Sequence, residues 1–312
     1  MQAISLTDFI LEDQKTNLHA RGNLTRILND IAESGKIIGL HLKKAGLVDI
    51  LGTTGDINTS SDEVKKIDVF SNNLLIKTLT IGEQVATIAS EELENPIELG
   101  TGDYVVFMDP LDGSANTDAN IPVGTIFSIY HKSDSILQPG RKQVAAGYIL
   151  YGTSDILVYT CGHGVNGFTL DPSIGTFLLS HSDMKIPEDG DIYSVNEANS
   201  PQWDDTLIRF IESLKTSGKR ARYIGSMVAD VHRTLIKGGL FMYPNDNKNT
   251  TGKLRLMYEV NPMAFLVEQA GGRVISHETT NPLDAVPSSV HEKSPVILGS
   301  KSLVENFIHF EK

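Results

Sequence analysis

One cysteine and one tryptophan occur in 312 residues. The single thiol, Cys161, allows no intrachain disulfide, which excludes a disulfide scaffold and a dithiol switch within one chain. Cys161 sits in Thr-Cys-Gly-His-Gly; a buried strand residue is the simplest reading, with neighbouring His163 leaving a metal-site alternative open. Positive charge is also short. With 27 basic against 39 acidic residues the net charge is −12, the wrong sign for a nucleic-acid or anionic-membrane surface. No apolar run reaches bilayer length, and the opening Met-Gln-Ala-Ile-Ser lacks the basic region of a leader. A cytoplasmic protein with no nucleic-acid and no membrane partner is expected. Repeats and low-complexity tracts are missing as well. What remains, 40% hydrophobic and 21% charged, suits a globular chain with one large core or two joined ones.

Within that ordinary composition, carboxylates gather at strand ends. Tyr104-Val-Val-Phe-Met-Asp109-Pro-Leu-Asp112-Gly-Ser114 begins as a β-branched and aromatic run that reads as a buried strand. Pro110 cannot donate to a ladder, so the strand is expected to stop at Asp109. Open α/β sheets bind ligands at such carboxyl ends. Asp109 and Asp112 can reach one point in space, and hard divalent cations take carboxylate and carbonyl oxygens. Gly113 and Ser114 offer backbone N–H groups to an anion. An ordinary strand-to-turn junction uses the same Asp-Pro and Asp-Gly pairs, and the two readings stand side by side. Val85-Ala-Thr-Ile-Ala-Ser90-Glu91-Glu92 repeats the pattern. Ser61-Asp62-Glu-Val-Lys-Lys-Ile-Asp68 places two aspartates at the start of an expected helix, where Asp62 could equally be a plain N-cap. Gly252-Lys253-Leu-Arg-Leu-Met-Tyr-Glu259-Val-Asn-Pro then opens a helix closed by Gly271-Gly272.

The rest of the chain alternates. Leu24, Ile27, Leu28, Ile31, Ile38, Leu42 and Ala45 keep helical spacing behind an Asn23 cap, and Gly46 ends the pattern. Residues 51–61, rich in Gly, Thr and Ser, read as a loop. Short strands near 126–130, 144–150, 156–159 and 177–179 predict an antiparallel meander. The polar stretch 182–190, with Pro187, is expected to divide a metal-site domain, 1–188, from a substrate-binding domain, 189–312. Beyond it, strands near 192–195, 221–224, 240–243, 273–275 and 295–298 alternate with helices near 205–213, 228–236, 262–269 and 302–310, which predicts an α/β class.

Taken together, Lys65-Lys-Ile-Asp68-Val-Phe-Ser-Asn, Ser90-Glu-Glu92, Asp109-Pro-Leu-Asp-Gly-Ser114, Gly124-Thr-Ile-Phe127, Arg222-Tyr-Ile-Gly-Ser-Met-Val-Ala-Asp-Val-His-Arg233 and the block Lys253 to Gly272 resemble class I fructose-1,6-bisphosphatase, within the lithium-sensitive, magnesium-dependent sugar and inositol phosphatase superfamily. The resemblance implies a sugar phosphatase fold of alternating helix and sheet layers in two joined subdomains. It also implies hydrolysis of the 1-phosphate of D-fructose 1,6-bisphosphate, a step of gluconeogenesis. It assigns Glu91, Asp109, Asp112, Glu259 and the carbonyl of Leu111 to two or three Mg2+ ions, which Mn2+ or Zn2+ can replace. Glu92 with Asp68 would orient and deprotonate the attacking water, and Asp62 would enter as a gating catalytic residue. Asp112, Gly113, Ser114, Asn196, Arg222, Tyr223, Tyr243 and Lys253 would bind the sugar bisphosphate, with Arg222 crossing an interface of a homotetramer.

Some positions depart from the family pattern. Asn199 stands where a phosphate-binding tyrosine is usual, and Ala115 replaces a serine. The pair Trp203-Asp204 mimics a metal motif of inositol monophosphatases, but it precedes a plain amphipathic helix and is read as a decoy. In animal relatives a helix-start turn binds AMP; here Arg21 and Asn23 replace threonine and glutamate, Asp103 replaces a lysine beside Tyr104, and His131 replaces an arginine. Sugar length is read by pocket shape, so sedoheptulose-1,7-bisphosphatase or a dual enzyme is the alternative.

Overall fold

The computed structural model describes residues 3–16, 22–48, 51–57, 63–276 and 280–311. Val85–Ser90 and Tyr104–Asp112 are buried at every residue and pair parallel, as apolar runs covered on both faces do. From Tyr104–Asp112 the sheet continues as the antiparallel meander Val123–His131, Gln143–Tyr151, Asp155–Thr160, Asn166–Asp171 and Thr176–His181, while Ile97–Glu98 closes the other edge. Eight strands result. A second sheet of five strands orders Arg220–Ala221, Ile192–Ser194, Leu240–Tyr243, Val296–Gly299 and Arg273–Ile275.

Side-chain alternation along a strand turns these sheets into layers, because neighbours point to opposite faces. Phe127, Ile129 and Ile149 pack one way, against Ile27, Ile31 and Leu28 of helix Gly22–Leu42 and Ile67, Leu75 and Leu79 of helix Lys66–Gly82. Ile126 and Tyr148 face the other way, onto Val228 and Val231 of helix Met227–Lys237 and Met263, Leu266 and Val267 of helix Asn261–Gln269. Those two helices also cover Phe241 and Leu298 of the second sheet. On its outer face, Tyr193, Met242 and Ile297 meet helices Asp205–Thr216 and Lys301–Glu311. The order is helix, sheet, helix, sheet, helix, and the middle core draws on both halves of the chain. Gly35 and Gly39, one turn apart, let the first of these helices approach the sheet closely: a Cβ at Gly35 would lie 2.2 Å from Ile149 Cδ1.

Several boundaries differ from the sequence reading. Tyr104–Asp112 runs past Pro110, because the ladder skips from Asp109 opposite Ile126 to Asp112 opposite Gly124. The missing proline N–H falls in that irregularity, where none is needed, and the Pro110 carbonyl accepts from Thr125 Oγ1 at 2.9 Å. Part of the expected loop, Thr53–Ile57, pairs antiparallel with Glu63–Lys65; the β-branched Thr53, Thr54 and Ile57 favour strand. The following helix therefore starts at Lys66 with Lys65 at its cap, which removes the N-cap reading of Asp62; residue 62 lies outside the described residues. Helix Gly22–Leu42 takes Asn23 into its first turn instead of using it as a cap. Of the expected 221–224 strand, Ala221 alone falls within the observed strand Arg220–Ala221, since the Ile224 and Gly225 N–H groups turn to the Asp230 carboxylate.

Candidate active site

Two chain segments converge on one acidic point. The eight-stranded sheet delivers Asp109 and Asp112 at the end of Tyr104–Asp112, and a single π-helical turn, Leu256–Val260, delivers Glu259. Each offers a carboxylate oxygen within 4.8 Å of the others, and all three are buried; among the described residues this is the one cluster of acids, histidines or cysteines spaced to hold a metal. Burial disfavours the charged forms, and the acids repel one another. Desolvation, then Glu91, Asp112, Glu259 and Glu92, hold the Asp109 carboxyl well above its usual range. Glu259 is pushed up to about 8, first by burial and then by Asp112 and Glu91. Burial raises Asp112 to about 6, although it accepts hydrogen bonds from Ser226 Oγ at 2.7 Å, Val228 N–H at 2.9 Å and Met227 N–H at 3.2 Å. Asp112 thus also caps helix Met227–Lys237, tying the first half of the chain to the second.

Glu91 and Glu92 leave the end of Val85–Ser90 beside this cluster, and the Glu91 N–H reaches the Met108 carbonyl at 3.0 Å. Ser90 Oγ donates to Asn72 at 2.7 Å and lies 3.3 Å from the Glu92 N–H, which fixes how the pair leaves the strand. Asp68, in the first turn of helix Lys66–Gly82, is 4% exposed. Burial raises its carboxyl to about 6 against bonds from the Lys65 N–H and Ser114. Leu111 is buried, its N–H donating to Asp109 Oδ1 at 3.0 Å. Gly113 has φ 77°, and a Cβ there would lie 2.6 Å from Ser226 Cβ; only glycine meets both conditions, so the turn can place Ser114 at the start of the 3-10 helix Ser114–Ala119.

A cavity of about 170 Å3 adjoins the acids, lined by Asp112, Gly113, Tyr223, Ser226 and Tyr243 among others. The Tyr223 and Tyr243 hydroxyls meet there. Asn196 and Asn199 share a small notch with Tyr243. Lys253 is half-buried and near Asp246, whose carboxyl burial raises but the hydrogen bonds from Asn249 and Lys248 and then the Lys253 charge bring below its usual range. Arg222 is exposed and donates to the Ala221 carbonyl at 2.8 Å, so within one chain it does not enter the cavity. A larger cavity, about 360 Å3, lies beside Lys43, Ile121, Tyr151 and Asp155; it gathers no cluster of carboxylates, and convergent chemistry outweighs size here.

Sequence reasoning passed over Arg255. Its guanidinium is 5% exposed and stands 3.4 Å from Glu91, while its backbone N–H donates to Glu259 at 2.5 Å. The signal was available: an arginine inside the apolar run Leu-Arg-Leu-Met-Tyr is buried only with a partner. Asp230 and Arg233 were quoted without a role. Fully buried Asp230 accepts from the Ile224 N–H and from Arg233 at 2.5 Å, and Arg233 also donates to the Arg222 carbonyl at 2.7 Å, so the pair holds the segment that presents Arg222 and Tyr223. Trp203 packs in the outer core, and Asp204 caps helix Asp205–Thr216 through the Leu207 N–H at 2.7 Å.

The donor set tests what the acids could hold. It is all oxygen, carries several negative charges against one buried guanidinium, and is buried at its centre; such groups suit a hard divalent cation and disfavour a soft one.

Known proteins are similar to this chain over nearly its whole length. Residues 4–182 match the family model of the fructose-1,6-bisphosphatase N-terminal domain and residues 186–312 that of the C-terminal domain. A class 1 fructose-1,6-bisphosphatase of Persephonella marina is 48% identical, the match covering 99% of this chain and 98% of that protein. A cytosolic fructose-1,6-bisphosphatase of Oryza sativa subsp. indica is 47% identical over 97% of this chain and 93% of its own. Among solved structures, the holo form of Leishmania major fructose-1,6-bisphosphatase superposes with a TM-score of 0.94 at 39% identity, covering 100% of this chain and 99% of that one.

Proposed function

Because the chain belongs to the class 1 fructose-1,6-bisphosphatase family, we propose that its buried acids form the site where the 1-phosphate of D-fructose 1,6-bisphosphate is hydrolysed to fructose 6-phosphate and phosphate. The enzyme is a phosphoric monoester hydrolase, and its substrate is a sugar bisphosphate. The observation that supports this placement is the convergence of Asp109, Asp112 and Glu259 within 4.8 Å, beside a cavity lined by two tyrosines.

The family is metal-dependent, and in this reading Glu91, Asp109, Asp112, Glu259 and the Leu111 carbonyl hold Mg2+. Bound there, divalent cations would neutralise charge on the transferred phosphoryl group and its leaving oxygen. Asp68 and Glu92 orient the attacking water, and Asp68, raised to about 6, accepts its proton, a basicity close to what neutral-pH proton transfer asks for. The water oxygen bonds to phosphorus as the bond to the C1 oxygen breaks, and that oxygen takes a proton from solvent to become the C1 hydroxyl of fructose 6-phosphate. Gly113 and Ser114 hold the phosphoryl oxygens, while Asn196, Tyr223, Tyr243 and Lys253 take the sugar and its distal phosphate. Asp62 completes the set from the segment ahead of the Lys66 helix. Exposed Arg222 is offered to the site of a second copy, as expected in a homotetramer; bidentate donation suits it to phosphate. The described residues contain no helix long and apolar enough to cross a membrane, and a cytoplasmic location is the one we propose.

Phosphate release from fructose 1,6-bisphosphate, from sedoheptulose 1,7-bisphosphate and from an inositol phosphate, each with and without magnesium, tests the reading. Magnesium-dependent release is expected fastest from the fructose ester. Preference for another ester, or full activity in chelator, would overturn it.

Regulation by AMP is expected to be weak. Asn23 Nδ2 donates to Asp103 Oδ2 at 3.3 Å, and the Tyr104 ring stacks on His131 at 5.0 Å. A carboxylate therefore stands beside the helix start where the animal relatives have a lysine, which exchanges attraction for repulsion toward a phosphate. Arg21 lies outside the described residues. Millimolar AMP should leave turnover nearly unchanged; a titration showing micromolar, cooperative inhibition would refute this.

A further inference from the structure

The turn that carries Glu259 is itself unusual. Over Leu256–Val260 the chain makes one π-helical turn, closed by the Asn261 N–H on the Leu256 carbonyl. Such turns are uncommon and concentrate at functional sites. One additional residue in a turn rotates what precedes it by about 100° relative to the helix that follows. Met257 and Tyr258 thereby pack against Ala89, Val105, Phe107 and Tyr130, while Glu259 turns to Asp109 and Asp112.

The wide turn leaves a backbone debt that the sequence makes visible. Counting five residues on from Met257, the next π-type donor would be Pro262, which has no N–H. The Met257 carbonyl therefore lacks a donor within the turn, in a position with no exposure, and a buried carbonyl needs one. Ser128 Oγ, from the middle of strand Val123–His131 and likewise unexposed, donates to it at 3.2 Å. At the far end of the turn, Gln143 Nε2 donates to the Asn261 carbonyl at 3.0 Å and to the Gly140 carbonyl at 2.8 Å. Gln143 is 6% exposed and pairs in register with Tyr130, whose hydroxyl stands beside the side chains of Asn261 and Ser128. Two polar side chains of the eight-stranded sheet thus reach across an otherwise apolar layer and grip the turn at both ends.

We infer that Ser128 and Gln143 are positioning residues, which hold the π turn in the register that aims Glu259 at Asp109 and Asp112; the inference rests on the proposed reading of Glu259 as a metal ligand. Neither side chain touches the acids. Their effect passes through the Met257 and Asn261 carbonyls, and its signature is a loss of metal affinity larger than the loss of fold.

The test is Mn2+ binding by titration calorimetry on the full chain without substrate, with melting temperatures measured in parallel. Ser128→Ala and Gln143→Met remove the two donors. Ser300→Ala is the control, because it removes a buried hydroxyl that bridges the Gly239 N–H and the Pro187 carbonyl with no link to the turn. Removing groups that orient metal ligands lowers affinity by about tenfold or more, so each of the two variants should bind Mn2+ about tenfold more weakly, while the control loses stability and keeps its affinity. Parent-like affinity in both Ser128→Ala and Gln143→Met, or an equal loss in Ser300→Ala, would overturn the positioning role. A parent chain that binds no Mn2+, or one that Asp109→Asn leaves unaffected, would overturn the ligand reading and this inference with it.

Discussion

Asp109→Asn and Glu91→Gln each abolish turnover, by about a thousandfold or more, with the fold intact. On the proposed reading, what is removed is one metal-ligating carboxylate at the point where phosphoryl charge develops, worth several kcal/mol in a buried site, and each 1.36 kcal/mol is tenfold in rate. Stability should move the other way. Asp109 is 6% exposed, and Glu91, Asp112, Glu259 and Glu92 all raise its carboxyl further, so the metal-free fold holds this group at an electrostatic cost that the amide removes. The metal-free melting temperature of Asp109→Asn should equal or exceed the parent's. Glu91→Gln also frees the Arg255 guanidinium at 3.4 Å from its partner, which offsets part of that gain. Near-normal magnesium-dependent turnover in either variant would remove that residue from the site.

The metal-free enzyme is expected to lose stability as pH rises from about 4 to about 8. Asp68 and Asp112 ordinarily titrate at 3.8 and are held at about 6; Glu259 ordinarily titrates at 4.5 and is held at about 8. Between those values the folded state binds more protons than the unfolded one, and stability then falls with pH. Below the ordinary values both states are protonated and the acids contribute no difference; above the raised values the whole penalty is present. Each unit of displacement corresponds to about 1.4 kcal/mol, so these three groups together make an effect of at most about 10 kcal/mol. Divalent metal requires the deprotonated ligands, so added Mg2+ should raise the melting temperature more at pH 8 than at pH 5. Glu259→Gln and Asp109→Asn should each flatten the metal-free slope. A metal-free melting temperature that is level or rising across this window would contradict the buried-acid account.

Much of this was readable along the chain. The apolar runs 85–90 and 104–109 announced strands ending in acids, and both are buried throughout. The helical spacing from Leu24 onward marked a core-facing helix, and the alternation after residue 190 marked the second sheet with its helices. These are local patterns, set by the period of a strand or helix and by where apolar side chains must hide. Asp109, Asp112, Glu91 and Glu92 were legible for the same reason, each lying within a few residues of a strand end. Their grouping with Glu259 came from resemblance, because nothing local ties residue 259 to residue 109.

The tertiary structure decided what no period carries. Pro110 remained in its strand because that strand carries one more residue than its partner between the Asp109–Ile126 and Asp112–Gly124 pairs. Asp112 became a helix cap for a segment more than a hundred positions away. Arg255 and Ser128 acquired purpose only when folding set them beside a carboxylate and a carbonyl supplied by other elements. Residue type and spacing determine which elements form and which faces they bury. Which charges share one buried point, and which polar side chains complete a neighbour's backbone, depends on contacts between distant segments, where desolvation makes each partner count.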